Sequence, residues 1–262
     1  MKLGRRHWKA RLDATKELWR QLRPNELQQD GWVNRADFCF KSTRTLGPGI
    51  DFVQSIAAWQ SDEESWSIRV RGAILDKRVS TMKSQLVGYD VTGLYSLDFD
   101  LLAASSLLDG KPVPHSPCIR TEASNAEVAS HLADYCLMMD RIWAFFGGAS
   151  VENLRTLAIW MIQNRNAVGA SDASVSMVCL AYVYGETELS LALLAEIEME
   201  LTTRMRADPS DLFDEVEREL GRDVPDSVRL VPSREQVAEI ATKALAEAAR
   251  LRNMIEQGYP TS

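Results

Sequence analysis

Three consecutive segments in the first third of the chain alternate apolar and polar residues, and short turns separate them. They run from Trp32 to Phe40, from Ile50 to Trp59 and from Trp66 to Ile74. Successive side chains on a strand point to opposite faces, so alternation at a period of two predicts β-strands. Residues 46–49 and 61–64 join the three segments, and connections this short permit only antiparallel pairing. We therefore expect an antiparallel sheet with one face buried.

A helix is predicted before this sheet, and a further strand after it. Trp8, Leu12, Trp19 and Leu22 recur at helical spacing, with cations mostly between them. Such a pattern is typical of an amphipathic helix that packs its apolar face on a sheet. Residues 87–99 could supply a fourth strand. The first half of the chain is thus expected to be an N-terminal helix packed on a three- to four-stranded antiparallel sheet.

The second half of the chain has helical spacing and helix-capping residues. Ser124 with Glu127 forms a capping-box pattern that predicts a helix over residues 126–146. Ser150 is a good N-cap for the next segment, which extends to about Asn164. This half is therefore expected to be mostly α-helical.

Residues 171–206 predict a helical hairpin with its turn at Gly185. The first arm, up to residue 184, would also suit a buried strand, but its length and the closing glycine favour a helix. A short acidic helix over residues 208–221 and a last helix over residues 233–257 are expected to follow.

Together these patterns predict an α+β fold, with a sheet domain over residues 1–148 and a helical domain over residues 149–262. A length of 262 residues, 45% hydrophobic and 26% charged, is typical of a soluble globular protein. No apolar run approaches the roughly 18 residues that a membrane span requires. The basic start lacks the apolar run of a secretory signal. We expect a cytoplasmic protein with no membrane partner.

The charge is distributed unevenly along the chain. Residues 1–23 carry eight Lys or Arg against two Asp or Glu, a net charge of +6. Residues 187–262 carry sixteen Asp or Glu against nine Lys or Arg, a net charge of -7. The sequence pI of about 5.2 is far below the value of roughly 9 that is typical of nucleic-acid-binding domains. Nucleic acid is therefore disfavoured as a partner.

The acidic half contains the residues that we predict to bind a partner. Glu196 and Glu200 share a helix face, and Asp211, Asp214 and Glu215 extend the negative charge beyond them. Surface charge of one sign raises the association rate and the specificity for a partner of opposite sign. These five carboxylates predict a docking surface for a protein with a basic surface, although such residues also occur on ordinary solvated helix faces.

No catalytic or metal-binding motif occurs. His115 with Cys118 lacks the further ligands of a zinc site. His131 could form a hydrogen-bonded pair with Tyr135 one turn on, but the pattern favours an ordinary helix-surface or core histidine. Phosphate-loop, dinucleotide-binding, nucleophile-elbow and zinc-protease signatures are absent from the sequence. We expect no catalytic residues, no metal and no cofactor, and these absences favour a protein that is not an enzyme.

An alternative prediction places a small-molecule pocket, or an active site, between the sheet and the helices. Arg69 and Arg71 point the same way by strand alternation, and Asp51 and Gln54 lie on the preceding strand. These four polar residues could converge on a ligand. Exposed arginines on a sheet are also commonly ordinary solvated charge.

The order of aromatic strands also carries a resemblance. Trp32 to Thr43, Asp51 to Ser55 with Trp59 to Ser61, and Trp66 to Gly72, following a helix, resemble a bacterial domain-of-unknown-function plan. The resemblance covers roughly residues 8–148, and Trp59 stands where the plan has Phe. Small domains of this plan are thought to serve as immunity or antitoxin proteins. The leading hypothesis is therefore a non-enzymatic, immunity-type interaction protein that masks a basic partner through its acidic helices.

Overall fold

The computed structural model has seven strands and seven helices within its described residues. The described residues are 17, 27–29, 33–34, 37–60, 65–91, 94–111, 118–120, 124–169, 173–206 and 234–260. The strands are β1 (Leu27–Gln29), β2 (Val33–Asn34), β3 (Asp37–Gly47), β4 (Ile50–Gln60), β5 (Ser65–Asp76), β6 (Leu97–Asp100) and β7 (Cys118–Arg120). The helices are α1 (Lys77–Val87), α2 (Leu101–Leu108), α3 (Asn125–Phe145), α4 (Val151–Gln163), α5 (Val175–Val183), α6 (Thr187–Arg206) and α7 (Arg234–Glu256).

The strands form one antiparallel sheet. Its order is β1-β3-β4-β5-β6, with β2 also paired to β3 and β7 also paired to β5. The strands β3, β4 and β5 form a continuous meander, which confirms the antiparallel sheet. The first predicted strand, over residues 32–40, is instead the short β2 and the longer β3, which extends to Gly47, so the turn occupies residues 48–49. Gly49 in that turn has a φ of 71°, a left-handed conformation that glycine adopts without steric cost. The α+β class is therefore confirmed.

Two compact units make up the chain. The first contains residues 1–80 and 92–172, and the second contains residues 81–91 and 173–262. The first unit contains the whole sheet together with α2, α3 and α4. The second contains most of α1 together with α5, α6 and α7. The sequence predicts a division between residues 148 and 149, whereas the units divide the main part of the chain between residues 172 and 173.

The core of the first unit is built from aromatic rings on one face of the sheet. Phe52 lies on β4, and its ring packs edge-on against Trp143 of α3 at a centroid distance of 5.3 Å. It also lies 6.3 Å from the ring of Phe99. Both phenylalanines and the tryptophan are buried. Gly72 pairs with Phe99 across the sheet, and a Cβ at Gly72 would lie 2.7 Å from the Phe99 ring. The glycine therefore leaves the space that this ring fills.

The helices of the first unit begin where the capping residues predict. Ser124 accepts a hydrogen bond from the backbone N–H of Glu127, whose carboxylate accepts one from the Ser124 backbone, so the capping box of α3 is confirmed. Ser150 caps α4 by accepting a hydrogen bond from the backbone N–H of Asn153. Leu154 and Leu157 of α4 are fully buried.

The second unit is helical throughout its described residues. The hairpin predicted over residues 171–206 is confirmed as α5 and α6, and its first arm is a helix rather than a strand. Gly185 closes the hairpin with a φ of 83°. Nearly every residue of α5 from Met177 onward is buried, which explains why this segment lacks a polar face and is ambiguous in the sequence. The last predicted helix is confirmed as α7.

Three further predictions concern the fourth strand, the N-terminal helix and the helix over residues 208–221. The fourth strand predicted over residues 87–99 is only the short β6 at Leu97–Asp100, and the unpredicted helix α1 precedes it at residues 77–87. The predicted N-terminal helix and the predicted helix over residues 208–221 lie outside the described residues, apart from Glu17, which is helical. The first helix with described bounds follows strand β5.

Candidate functional site

The exposed face of α6 is largely uncharged. Ala192, Ala195, Met199 and Thr203 are exposed and lie along one side of the helix, and we call them the Met199 face. Met199 is 66% exposed. The opposite side carries residues that are buried within the second unit, which are Ser190, Leu193, Leu194 and Ile197. The helix therefore has one apolar side in the core and a second, smaller apolar side in water.

Glutamates border the Met199 face. Glu196 and Glu200 lie on one flank, one turn apart and partly exposed, as the sequence predicts. Each of them also interacts with another group of the protein. On the other flank, the carboxylate of Glu198 accepts hydrogen bonds from Nη2 of Arg252 at 2.8 Å and from Nε at 3.3 Å. The side-chain hydrogen bond to Glu198 raises the pKa of Arg252.

The other three predicted partner-binding residues are Asp211, Asp214 and Glu215, and they lie outside the described residues. The structure therefore describes Glu196 and Glu200 of this predicted surface. The sequence did not single out Met199, although its position one turn from both Ala195 and Thr203 is visible in the helical pattern.

The four residues of the alternative ligand site do not converge. Gln54 is 3% exposed and lies opposite Gly72, on the face of the sheet that carries the aromatic core. Arg69, Arg71 and Asp51 project from the opposite face, because they occupy strand positions of the other parity. The predicted convergence of these four side chains is therefore wrong.

The three residues on that opposite face are also separated and engaged elsewhere. Asp51 lies four positions along β4 from the partner of Arg71, about 13 Å at the usual rise per residue. Its carboxylate accepts a hydrogen bond from Thr45 at 2.6 Å. Nε of Arg71 donates to the carboxylate of Asp98 at 2.7 Å. These contacts hold the hairpin and the β5–β6 pair together.

A third group of polar side chains lies within the second unit. Lys83 of α1 is partly buried and adjoins the buried residues Met82 and Leu86. Its Nζ donates a hydrogen bond to Oγ of Ser176, in the first turn of α5, at 2.7 Å. Ser174 caps that turn by accepting a hydrogen bond from the backbone N–H of Met177. The cap fixes the start of the helix and with it the position of Ser176.

Burial changes the pKa values of Lys83 and Cys179. It lowers the pKa of Lys83, because the charged ammonium loses hydration, and the nearby Cys179 opposes this shift. Cys179 lies one helical turn after Ser176 and is fully buried. Burial raises the pKa of its thiol to about 12, so the thiol is neutral at physiological pH. A hydroxyl, an amine that releases its proton more readily than an exposed lysine does, and a neutral thiol thus lie side by side.

Lys83 and Ser176 were not predicted from the sequence, because they are 93 residues apart and match no catalytic motif. One signal was available, since Lys83 adjoins an apolar stripe of α1 in which Val79, Met82 and Leu86 recur at helical spacing. A lysine beside a buried stripe must either extend its amine to water or find a polar partner.

Two classes of site find no support within the described parts of the chain. No group of three or more His, Cys, Asp or Glu residues there is arranged to hold a metal ion. In the same parts, no helix combines the length and the apolar character needed to cross a membrane. His131, Tyr135 and Cys118 have described backbones only, and His115 lies outside the described residues.

Comparisons of this chain with protein-family models, with curated proteins and with solved structures found no match. The resemblance to a bacterial domain-of-unknown-function plan therefore stays a prediction that depends on the order of the aromatic strands.

Proposed function

We propose that this chain is a protein-binding protein of the immunity or antitoxin type, which masks a basic partner at the Met199 face. The observation that carries the proposal is the combination of an exposed, uncharged stripe on α6 with glutamates along its border. Protein interfaces commonly combine an apolar centre with a polar or charged rim. Methionine suits such a centre, because its flexible side chain adapts to different partner surfaces.

The charge around this face favours a basic partner. Residues 173–203 contain five glutamates and no lysine or arginine. One cation from α7, Arg252, neutralises Glu198, so the hairpin keeps a net negative charge. A negative rim attracts a positive surface and repels another acidic one, which would raise the association rate for the first and reject the second. The acidic residues 208–226 extend the same sign of charge along the sequence.

The first experiment is affinity capture of the tagged full chain from its native lysate, with washes at low and moderate salt. We expect a basic protein at about one copy per chain, with capture reduced by salt because exposed charges are screened. The double variant Glu196→Gln with Glu200→Gln is expected to weaken capture. The matched control is Glu235→Gln with Glu239→Gln, which neutralises two exposed glutamates on α7 and should leave capture unchanged.

A second pair of variants tests the apolar centre. Met199→Asp is expected to abolish capture, because it places a charge at the middle of the proposed contact. Ile240→Asp is its control, since Ile240 on α7 is 67% exposed and Met199 is 66% exposed. Equal losses in both single variants, or capture that none of the four variants changes, would contradict the proposal.

A further inference from the structure

We propose that Ser176 and Lys83 form a nucleophile–base pair that reacts with carboxylic esters and related activated acyl compounds. This activity is separate from the proposed partner binding, because it uses α1 and the start of α5 rather than the exposed face of α6.

The proposal of a nucleophile–base pair depends on the short distance between Lys83 and Ser176. The distance of 2.7 Å between Nζ of Lys83 and Oγ of Ser176 allows direct proton transfer. Lys83 and Ser176 are both partly exposed residues. A serine hydroxyl is a weak nucleophile until a neighbouring base takes its proton, and lysine serves as that base in serine–lysine hydrolases.

The surroundings of the pair suit this role. Burial removes part of the hydration of the Lys83 ammonium, which favours its neutral amine, and the apolar residues Met82 and Leu86 of the same helix are buried. Cys179 is the titratable group that acts on the amine from α5, and its thiol is neutral. Ser176 lies in the first turn of α5, where Ser174 already accepts the hydrogen bond of the Met177 amide. The positive end of the helix dipole at that position favours negative charge on an oxygen bonded to the attacked carbon.

The reaction balances without a cofactor. Oγ of Ser176 bonds to the carbonyl carbon while Nζ of Lys83 takes the hydroxyl proton, and the carbonyl electron pair moves to its oxygen. When that pair returns, the bond to the leaving alkoxide breaks and the alkoxide takes the proton from Lys83. Water then attacks the carbonyl carbon of the acyl-serine while Nζ of Lys83 takes a proton from it. When the bond to Oγ of Ser176 breaks, Oγ takes that proton, so a carboxylic acid is released and the serine hydroxyl is restored.

The test is labelling of the full chain with a fluorophosphonate probe, followed by mass spectrometry of the modified peptide. We expect one label per chain, on Ser176. Ser176→Ala should remove the label, and Lys83→Met and Lys83→Arg should each slow labelling by about 100-fold, as loss of a general base does. The arginine variant keeps the positive charge but cannot act as a base. Ser106→Ala and Lys243→Met are the matched controls, one a partly exposed helical serine and the other an exposed helical lysine.

The wild-type protein provides a readout that does not depend on whether the variants fold. Its labelling rate should rise with pH through the lowered pKa of Lys83, below the range in which exposed lysines titrate. Absence of label on wild-type Ser176, or a rate independent of both pH and Lys83, would overturn the proposal. Met199→Asp should label normally, so failure of the partner model and failure of this one are distinguishable.

Discussion

The two units differ in how far along the chain their polar contacts reach. In the sheet unit, Arg78 binds Asp76, two residues away, and the contact between Arg71 and Asp98 spans 27 residues. In the helical unit, Lys83 binds Ser176 across 93 residues, and Arg252 binds Glu198 across 54. Local contacts stabilise turns and helix ends, whereas distant ones bring together side chains that have no relation in the sequence. The helical unit therefore brings reactive side chains from distant parts of the chain together more readily. The stability of the sheet unit depends mainly on apolar packing.

Removal of a buried aromatic ring should have the largest effect on stability. It tests whether apolar packing stabilises the sheet unit. Phe52→Ala is expected to lower the free energy of unfolding by about 4 kcal/mol, because contacts with Phe99 and Trp143 are lost and a cavity remains. Chemical denaturation measures the change. Phe145→Ala is the control, since that ring is 63% exposed and its loss should cost far less. Equal costs would mean that the rings of this core do not dominate stability.

Filling the space at Gly72 should have the next largest effect. In Gly72→Ala the new methyl group would lie within 3.0 Å of both the Phe99 and the Phe52 rings, and neither buried ring has room to move. We expect a loss of about 3 kcal/mol from overpacking. A double-mutant cycle with Phe99→Leu checks the cause, because the smaller side chain should recover part of the loss. Simple additivity of the two changes would disprove the steric explanation.

A polar substitution in the helical unit tests whether its buried positions tolerate further hydrogen-bonding groups. Cys179→Ser is expected to cost about 1.5 kcal/mol, because the buried hydroxyl is more strongly hydrated in the unfolded chain than the thiol. Thermal unfolding measures the loss, and Cys179→Ala separates the effect of polarity from the effect of size. In the native wild-type protein the same thiol should resist alkylation, since it is buried and its pKa is about 12.

The smallest expected effect is a change in the pH dependence of stability. Burial lowers the pKa of Lys83 in the folded protein, so between that value and its ordinary value near 10.5 the unfolded chain binds more protons. The contribution of Lys83 to stability therefore rises with pH across that window. Lys83→Met should remove this rise, and urea denaturation at neutral pH and at about pH 10 measures it. Lys243→Met should leave the wild-type slope unchanged.

The sequence predicts those parts of the fold that depend on neighbouring residues. The strands around Phe52 and Val70, the capping box at Ser124 and the hairpin turn at Gly185 all follow from spacing and local hydrogen bonding. Helix α1 was missed although Val79, Met82 and Leu86 recur at helical spacing, and the predicted fourth strand was reduced to β6.

The candidate sites were harder to predict, because most of their contacts depend on residues that are not neighbours in the sequence. Glu196 and Glu200 are one turn apart, so their shared face can be read from the sequence. The convergence of Gln54 with Arg69 and Arg71 was wrong, because strand register places Gln54 on the other face of the sheet. The contact between Lys83 and Ser176 depends on the packing of two helices, and no local pattern encodes that packing.

One buried hydrogen bond has a further consequence for α6. Oγ of Ser190 donates to the backbone carbonyl of Val178 at 2.9 Å, which joins the two arms of the hairpin through a group that cannot reach water. Rotation of α6 about its axis would break this bond and leave both groups unsatisfied. The Met199 face is therefore presented in one fixed orientation before any partner arrives. A partner that binds there would meet a preorganised surface, and little conformational entropy would be lost by this side of the complex.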